Sequence, residues 1–205
     1  MAQPVSHHLM TLPGFAALPE DNSARYELQE GVLVVAPRPG NHHQEAMAEL
    51  LVRLRRAMPA DWTAVTEPDV VVSEQAPPTV RIPDLVVARR PLPDRLLRAT
   101  DVALVVEIIS PGSRNVDLHL KPYEYAEAGI PQYWVVDLDP PASTLTVTTL
   151  GAPGEGYVEQ PAVSGALRAT VDVDGPVELT VDVAAWGSDG RVATGGGAPG
   201  SRTCR

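Results

Sequence analysis

The segment Val102–Ser110 constrains the fold more than any other, because it is apolar on both of its alternating sides. Successive side chains of an extended strand point to opposite faces of a sheet. A strand that is apolar on both faces belongs inside a sheet covered on both sides. The chain is therefore predicted to contain such a sheet. The two predicted faces are Ala103, Val105 and Ile109, and Leu104, Val106 and Ile108.

Strand and helix signals alternate along the rest of the chain, which predicts an α/β fold with a mixed sheet flanked by helices. Apolar side chains at helical spacing predict a helix over 42–58, with Asn41 as its N-cap. A second helix is predicted over 114–128, ended by Gly129. An N-terminal hairpin is expected over residues 25–36. Further strands are predicted at Trp62–Ser73, Arg81–Arg89, Gln132–Leu138 and Thr144–Leu150.

The later part of the chain is richer in Gly and Pro and shows only short strand signals, at 156–163, 167–173 and 177–181. These predict a β-rich C-terminal extension. We expect one domain over 1–186, with its core in 25–150. Residues 187–205 hold six glycines and almost no apolar side chain, so they are expected to form a disordered tail.

Charge and cysteine content narrow the function classes. The net charge of −10 disfavours a protein that coats nucleic acid non-specifically. One cysteine allows neither an intrachain disulfide nor a cysteine cluster for zinc. The longest apolar runs, about five residues, are far shorter than the ~20 that cross a membrane. A cytoplasmic protein without membrane contact is expected.

Three residues are candidates for chemistry. Glu107 interrupts the predicted central strand, where a carboxylate needs an ion pair, a metal ion, a proton or water. Asp84 follows Pro83 and opens the apolar run Leu85–Ala88, so the two carboxylates can meet on one face if these strands pair. Together they would form a site for Mg²⁺ or Mn²⁺. Lys121 is the single lysine beside 15 arginines, and it lies 14 residues past Glu107, on or just before the helix expected to pack back on the sheet. For each residue an ordinary structural role remains open.

Several motifs follow one another in a fixed order. They are Tyr26-Glu27-Leu28 with Gly31, His42-His43-Gln44, Arg81-Ile82-Pro83-Asp84, Val105-Val106-Glu107-Ile108-Ile109-Ser110, Lys121, Tyr125 with Gly129-Ile130-Pro131, and Tyr133-Trp134-Val135-Val136-Asp137. This order resembles the Uma-two family of the restriction-endonuclease-like superfamily, which has PD-(D/E)XK sites. The resemblance covers residues 12–150 and continues more weakly to 186.

The resemblance implies an endonuclease that hydrolyses phosphodiester bonds in DNA with Mg²⁺ or Mn²⁺. It implies Asp84 and Glu107 as metal ligands and Lys121 as the group that assists at the scissile phosphate. The superfamily's usual lysine position holds Ile109 here, so Lys121 would supply the ammonium from the following helix. A homodimer is also implied. The residues considered for accessory roles are Glu30, His43, Glu49, Ser110 and Tyr125.

The sequence also allows a second interpretation of the function. The acidic surface, Ile109 and Pro122 favour a catalytically silent member of the same fold, acting as a nucleic-acid-binding or protein-interaction module. Proline is poorly tolerated within a helix, so Pro122 requires Lys121 to lie at the helix start or the helix to be kinked.

Overall fold

The computed structural model describes residues 9–19, 24–36, 39–110, 112–139 and 143–186, and the predicted tail 187–205 lies outside them. The described residues form α1 (Leu12–Ala16), α2 (Asn41–Ala57) and α3 (Lys121–Glu127). Their strands are β1 (Arg25–Gln29), β2 (Val32–Ala36), β3 (Trp62–Thr66), β4 (Val70–Ser73), β5 (Thr79–Arg81), β6 (Leu85–Arg89), β7 (Leu97–Arg98), β8 (Val102–Ile109), β9 (Gln132–Asp137), β10 (Thr144–Leu150), β11 (Tyr157–Glu159), β12 (Ala166–Asp172) and β13 (Pro176–Asp182).

The predicted central strand, β8, lies inside a six-stranded mixed sheet of order β11-β10-β9-β8-β6-β3. It pairs parallel with β9 and antiparallel with β6. Side chains of α2, β12 and β13 pack on one face. Tyr125 of α3 and residues of β4 and β7 pack on the other. Covering on both sides is what makes an apolar strand stable there, and the mixed α/β prediction is confirmed.

A β-bulge corrects one detail of this strand. Ala88 pairs with Val102 and Val87 with Leu104, so Ala103 is an extra residue on β8. Ala103 consequently packs in the same cluster as Leu104 and not with Val105, as strict alternation had predicted.

Two of the predicted strands are wrong as continuous elements. Trp62–Ser73 divides into β3 and β4, and Arg81–Arg89 divides into β5 and β6. In each case the chain leaves one sheet and enters the other, because β4 and β5 belong to a five-stranded sheet of order β2-β1-β5-β4-β7. Pro68 and Pro83 stand at the two breaks, where the missing N–H prevents a regular ladder.

The first long helix begins differently from its prediction. Gly40 is the N-cap of α2, with an extended backbone, and Asn41 is already the first helical residue. Asn41 therefore does not cap the helix as predicted. The side chain of Gln44 instead donates a hydrogen bond to the carbonyl of Pro39, 3.2 Å away.

The N-terminal hairpin and the β-rich C-terminal extension agree with prediction. Glu30 and Gly31 form the two-residue turn between β1 and β2, both with positive φ (47° and 78°), a geometry that glycine adopts without strain. Strands β12 and β13 form a second hairpin, which packs on α2. Among the described residues, no helix combines the length and apolarity required to cross a membrane.

Candidate active site at the join of the two sheets

Asp84 and Glu107 lie opposite each other where the chain passes from the five-stranded to the six-stranded sheet. Leu85 pairs with Val106, so the next position along the same register places Asp84 beside Glu107. Directly opposed residues of an antiparallel pair share one face. The two residues are only 3% and 2% exposed. The strand pairing that would bring the two carboxylates to one face is therefore present.

Three groups hold the carboxylate of Asp84. Its Oδ2 accepts a hydrogen bond from the backbone N–H of Ile108 at 2.8 Å and lies 3.0 Å from Nε2 of His43. Its Oδ1 lies 3.4 Å from the guanidinium of Arg25. Burial acts to raise the pKa of Asp84, but these contacts outweigh burial and hold the pKa below its usual value. Asp84 is therefore an ionised carboxylate at neutral pH.

Glu107 has a different electrostatic environment. Its Oε1 accepts hydrogen bonds from Nζ of Lys121 and from the hydroxyl of Tyr125, both at 2.9 Å. Burial, reinforced by the negative charges of Asp84 and Asp117, raises the pKa of Glu107 to about 8, while Lys121 opposes that rise. Without a further cation, the buried site thus retains a proton on Glu107 at neutral pH.

Lys121 reaches Glu107 from the beginning of α3. A π-helical turn, Val116–Leu120, precedes Lys121, and Pro122 occupies the first turn of α3, where its missing N–H costs little. Nζ of Lys121 also lies 2.9 Å from Oδ1 of Asp117. Burial acts to lower the pKa of Lys121, but the surrounding carboxylates outweigh burial and raise it. The ammonium is therefore charged and fixed beside Glu107.

Six charged residues that complete the cluster were not singled out from the sequence: Arg25, Glu27, Glu67, Arg81, Asp117 and Glu124. Asp117 contacts Lys121, and Glu27 lies 3.9 Å from the same ammonium. Arg81 is buried between Glu27 and Glu124. For Asp117, the four-residue spacing to Lys121 on a predicted helix was a usable signal. The other contacts join residues more than 40 positions apart, which a single sequence does not reveal.

The accessory candidates divide between those near the pair and those far from it. His43 contacts Asp84, and Tyr125 contacts Glu107. Ser110 follows β8 directly, and its hydroxyl lies 2.9 Å from that of Ser113, so the two serines brace the turn before α3. Two carboxylates are not brought to the site. Glu30 lies exposed in the hairpin turn, and Glu49 is half-exposed and pairs with Arg53.

A cavity of about 210 Å³ is lined by Arg25, which contacts Asp84, and by Ile82, whose carbonyl accepts a hydrogen bond from Arg25. A larger cavity of about 450 Å³ lies next to it, and Glu67 and Arg95 line both cavities. Arg25 bridges from these cavities to the carboxylate pair, because its Nη1 lies 3.1 Å from Glu67 and 3.4 Å from Asp84.

Comparison with known proteins agrees with the fold and the motifs. The model of the Uma2 family, described as "Putative restriction endonuclease", matches residues 12–184. The chain belongs to the Uma2 family. This is the Uma-two family that the motifs resembled, so that identification is confirmed. No curated protein matches this Uma2 chain.

One similar solved structure is a "putative nuclease belonging to DUF820" from Anabaena variabilis. It has a TM-score of 0.61 and 19% sequence identity, and the alignment covers 78% of this chain and 89% of that protein. At this identity the likeness concerns the fold alone. It supports the nuclease-like α/β architecture of this Uma2 protein, including its β-rich C-terminal part.

Proposed function

We propose that this Uma2 protein is a divalent-metal-dependent endonuclease that hydrolyses phosphodiester bonds in DNA. Asp84 and Glu107 would hold Mg²⁺ or Mn²⁺, and Lys121 would act at the scissile phosphate. The observation that carries the proposal is the buried, face-to-face placement of Asp84 and Glu107 with one ammonium beside them. The family description points to the same class of reaction.

The charges of the cluster fit a divalent cation. Six carboxylates share the region with three cationic side chains, so the fully ionised cluster carries an excess of three negative charges. The carboxylates are Glu27, Glu67, Asp84, Glu107, Asp117 and Glu124, and the cations are Arg25, Arg81 and Lys121. Carboxylate oxygens are the ligands that Mg²⁺ and Mn²⁺ prefer.

Each side chain has a distinct task in the proposed reaction. When bound, the cation supplies a Lewis acid that activates water and offsets phosphate charge. His43 and the N–H of Ile108 orient Asp84, while Tyr125 orients Glu107 through its hydroxyl. The Lys121 ammonium stabilises the negative charge that develops on the phosphate oxygens.

Plasmid cleavage tests the proposal directly. We expect the protein to nick or linearise supercoiled DNA with Mn²⁺ or Mg²⁺ and to lose this activity with EDTA. Glu107→Gln removes a ligand charge with little change of shape, so the rate should fall at least about 100-fold. Glu178→Gln is the matched control, because Glu178 is exposed on β13. Cleavage that survives Glu107→Gln refutes the assignment.

One observation favours a second candidate function, a silent nuclease fold that binds nucleic acid or protein. In the part of the chain that the structure describes, no group of three or more His, Cys, Asp or Glu side chains is arranged to hold a metal ion. Calorimetry with Mn²⁺ separates the two candidates. Heat of binding that disappears in Asp84→Ala supports the metal enzyme, whereas no heat in either protein supports the silent module.

We also propose a homodimer and a cytoplasmic location, both on the resemblance and composition alone. Light scattering coupled to size-exclusion chromatography tests the homodimer, which predicts a mass near twice the 21.8 kDa of the chain. A monomeric mass at micromolar concentration contradicts it.

A further inference from the structure

We propose that Arg81 and Glu124 are positioning residues for Lys121, acting by tying α3 to the five-stranded sheet. The inference rests on the proposed function, because it assigns these residues to the geometry of the same site. Neither residue reaches Asp84 or Glu107. Their effect would pass through the helix that carries Lys121 and through Glu27.

The contact between Arg81 and Glu124 is bidentate. Nε and Nη2 of Arg81 each donate to a different carboxylate oxygen of Glu124, both at 2.7 Å. Two parallel charge-assisted hydrogen bonds fix direction as well as distance. Arg81 belongs to β5 and is 1% exposed, so the guanidinium is a rigid anchor for α3.

The same guanidinium also orients Glu27 toward the ammonium. Nη1 of Arg81 donates to Oε2 of Glu27 at 3.0 Å, and the N–H of Ile82 donates to Oε1 at 3.1 Å. Oε1 is the atom that lies 3.9 Å from Nζ of Lys121. Arg81 therefore acts on Lys121 by two routes, one through Glu124 and one through Glu27.

Lys121 needs such external support because of its local backbone. It follows a π-helical turn, in which the backbone N–H of Lys121 bonds the carbonyl of Val116, five residues back, so the regular α-helical ladder is interrupted before it. Pro122, the next residue, donates no backbone hydrogen bond. Glu124 lies three residues further on and shares a helix face with Lys121. Holding Glu124 thus sets the height and rotation of the turn that carries the ammonium.

Stability alone is a poor explanation for this arrangement. A buried ion pair loses through desolvation about as much as it gains by attraction, and apolar side chains of similar volume often stabilise a core better. What the charged cluster of Arg81, Glu124 and Glu27 provides is a fixed geometry. Displacing a reacting group by about 1 Å can lower a rate by about 100-fold.

The single lysine makes the test specific. Protein labelled with ¹⁵N-lysine has one side-chain ammonium signal, that of Lys121. The test variant is Glu124→Gln, and the matched control is Glu127→Gln on the same helix, where the side chain is exposed. We expect Glu124→Gln to shift and broaden the Lys121 signal, to lower kcat about 10- to 100-fold with little change of KM, and to leave Mn²⁺ affinity within about twofold.

Each other outcome counts against the proposal. An unchanged ammonium signal in Glu124→Gln overturns it, as does an equal shift in Glu127→Gln. A parallel loss of Mn²⁺ affinity and kcat indicates general loosening of the fold and also overturns it. Near-ultraviolet circular dichroism shows whether Glu124→Gln folds. If it does not, Glu27→Gln replaces it, because that change interrupts the route through Glu27. The same changes in the Lys121 signal, kcat and Mn²⁺ affinity are then expected of Glu27→Gln. If the wild-type protein does not cleave DNA, the proposed function fails, while the ammonium signal still tests the positioning.

Discussion

The raised pKa of Glu107 predicts an unusual pH dependence of stability in the metal-free protein. In the unfolded chain this carboxyl ionises near 4.5, whereas in the folded protein it holds its proton up to about pH 8. Between these values the folded state binds more protons than the unfolded state. The contribution of Glu107 is therefore fully present below pH 4.5 and is lost as the pH rises through 8.

The size of the effect follows from the width of this interval. Each pH unit within it changes the free energy of unfolding by about 1.4 kcal/mol. Over the whole interval the loss is on the order of 5 kcal/mol, a large part of the ~5–15 kcal/mol that stabilises an ordinary domain. The lowered pKa of Asp84 changes the free energy of unfolding only at acidic pH. The contributions of the two carboxylates can therefore be measured separately.

The measurement is urea unfolding with EDTA at several pH values from 5 to 9, for the wild type and Glu107→Gln. The amide remains neutral at every pH and keeps an oxygen that can accept from Lys121 and Tyr125. The difference between the two proteins should therefore fall by about 1.4 kcal/mol per pH unit below pH 8. Repulsion among the charges that give the net charge of −10 changes the free energy of unfolding of both proteins almost equally. Glu178→Gln controls for the loss of one charge.

A difference that is constant with pH to within about 1 kcal/mol would refute the reasoning, because it would mean that Glu107 ionises alike in both states. Saturating Mn²⁺ offers a second check. A cation bound at Glu107 displaces the proton, so the slope of the wild type should become shallower.

Three further predictions concern the same cluster. Lys121→Arg should abolish cleavage and lower the free energy of unfolding by about 1–3 kcal/mol in urea, because the larger guanidinium must fit where Nζ lies 2.9 Å from both Glu107 and Asp117. Tyr125→Phe should cost about 1–2 kcal/mol in the same assay, since it removes one of the two hydrogen bonds to Glu107. Mn²⁺ at 100 times its Kd should add about 2.7 kcal/mol of stability in calorimetric melting, and Asp84→Asn should remove that gain.

Local sequence patterns predicted those elements whose pattern of buried and exposed side chains they reflect. The apolar faces of β8 predicted a covered central strand, and the helical spacing after residue 42 predicted α2 to within one residue at each end. These patterns reflect burial, which recurs along the chain with the period of the element. The breaks at Pro68 and Pro83 were not predicted, because a strand that changes sheet keeps its apolar composition.

The site was predictable only in part. Asp84 and Glu107 stood out because each is a carboxylate next to or within an apolar run. Lys121 stood out because it is the single lysine of the chain. Their placement together agrees with expectation, and their chemical roles stay predictions. Glu27 and Arg81 stand in the motifs Tyr26-Glu27-Leu28 and Arg81-Ile82-Pro83-Asp84, but these motifs do not reveal what either side chain contacts. Only the meeting of β1, β5 and α3 gives these residues their place in the cluster.

The join between the two sheets also determines when the site forms during folding. The partners of Asp84 lie 24, 41 and 59 positions away along the chain, and the N–H of Glu67 binds its carbonyl at 3.1 Å. Contacts of such high sequence separation form late, because the chain must first close long loops. A partly folded chain with only the six-stranded sheet assembled would already place Asp84 beside Glu107. It would lack the contacts that β1 and β5 supply through Arg25, Glu27 and Arg81. The complete charged cluster therefore exists only once both sheets are in place.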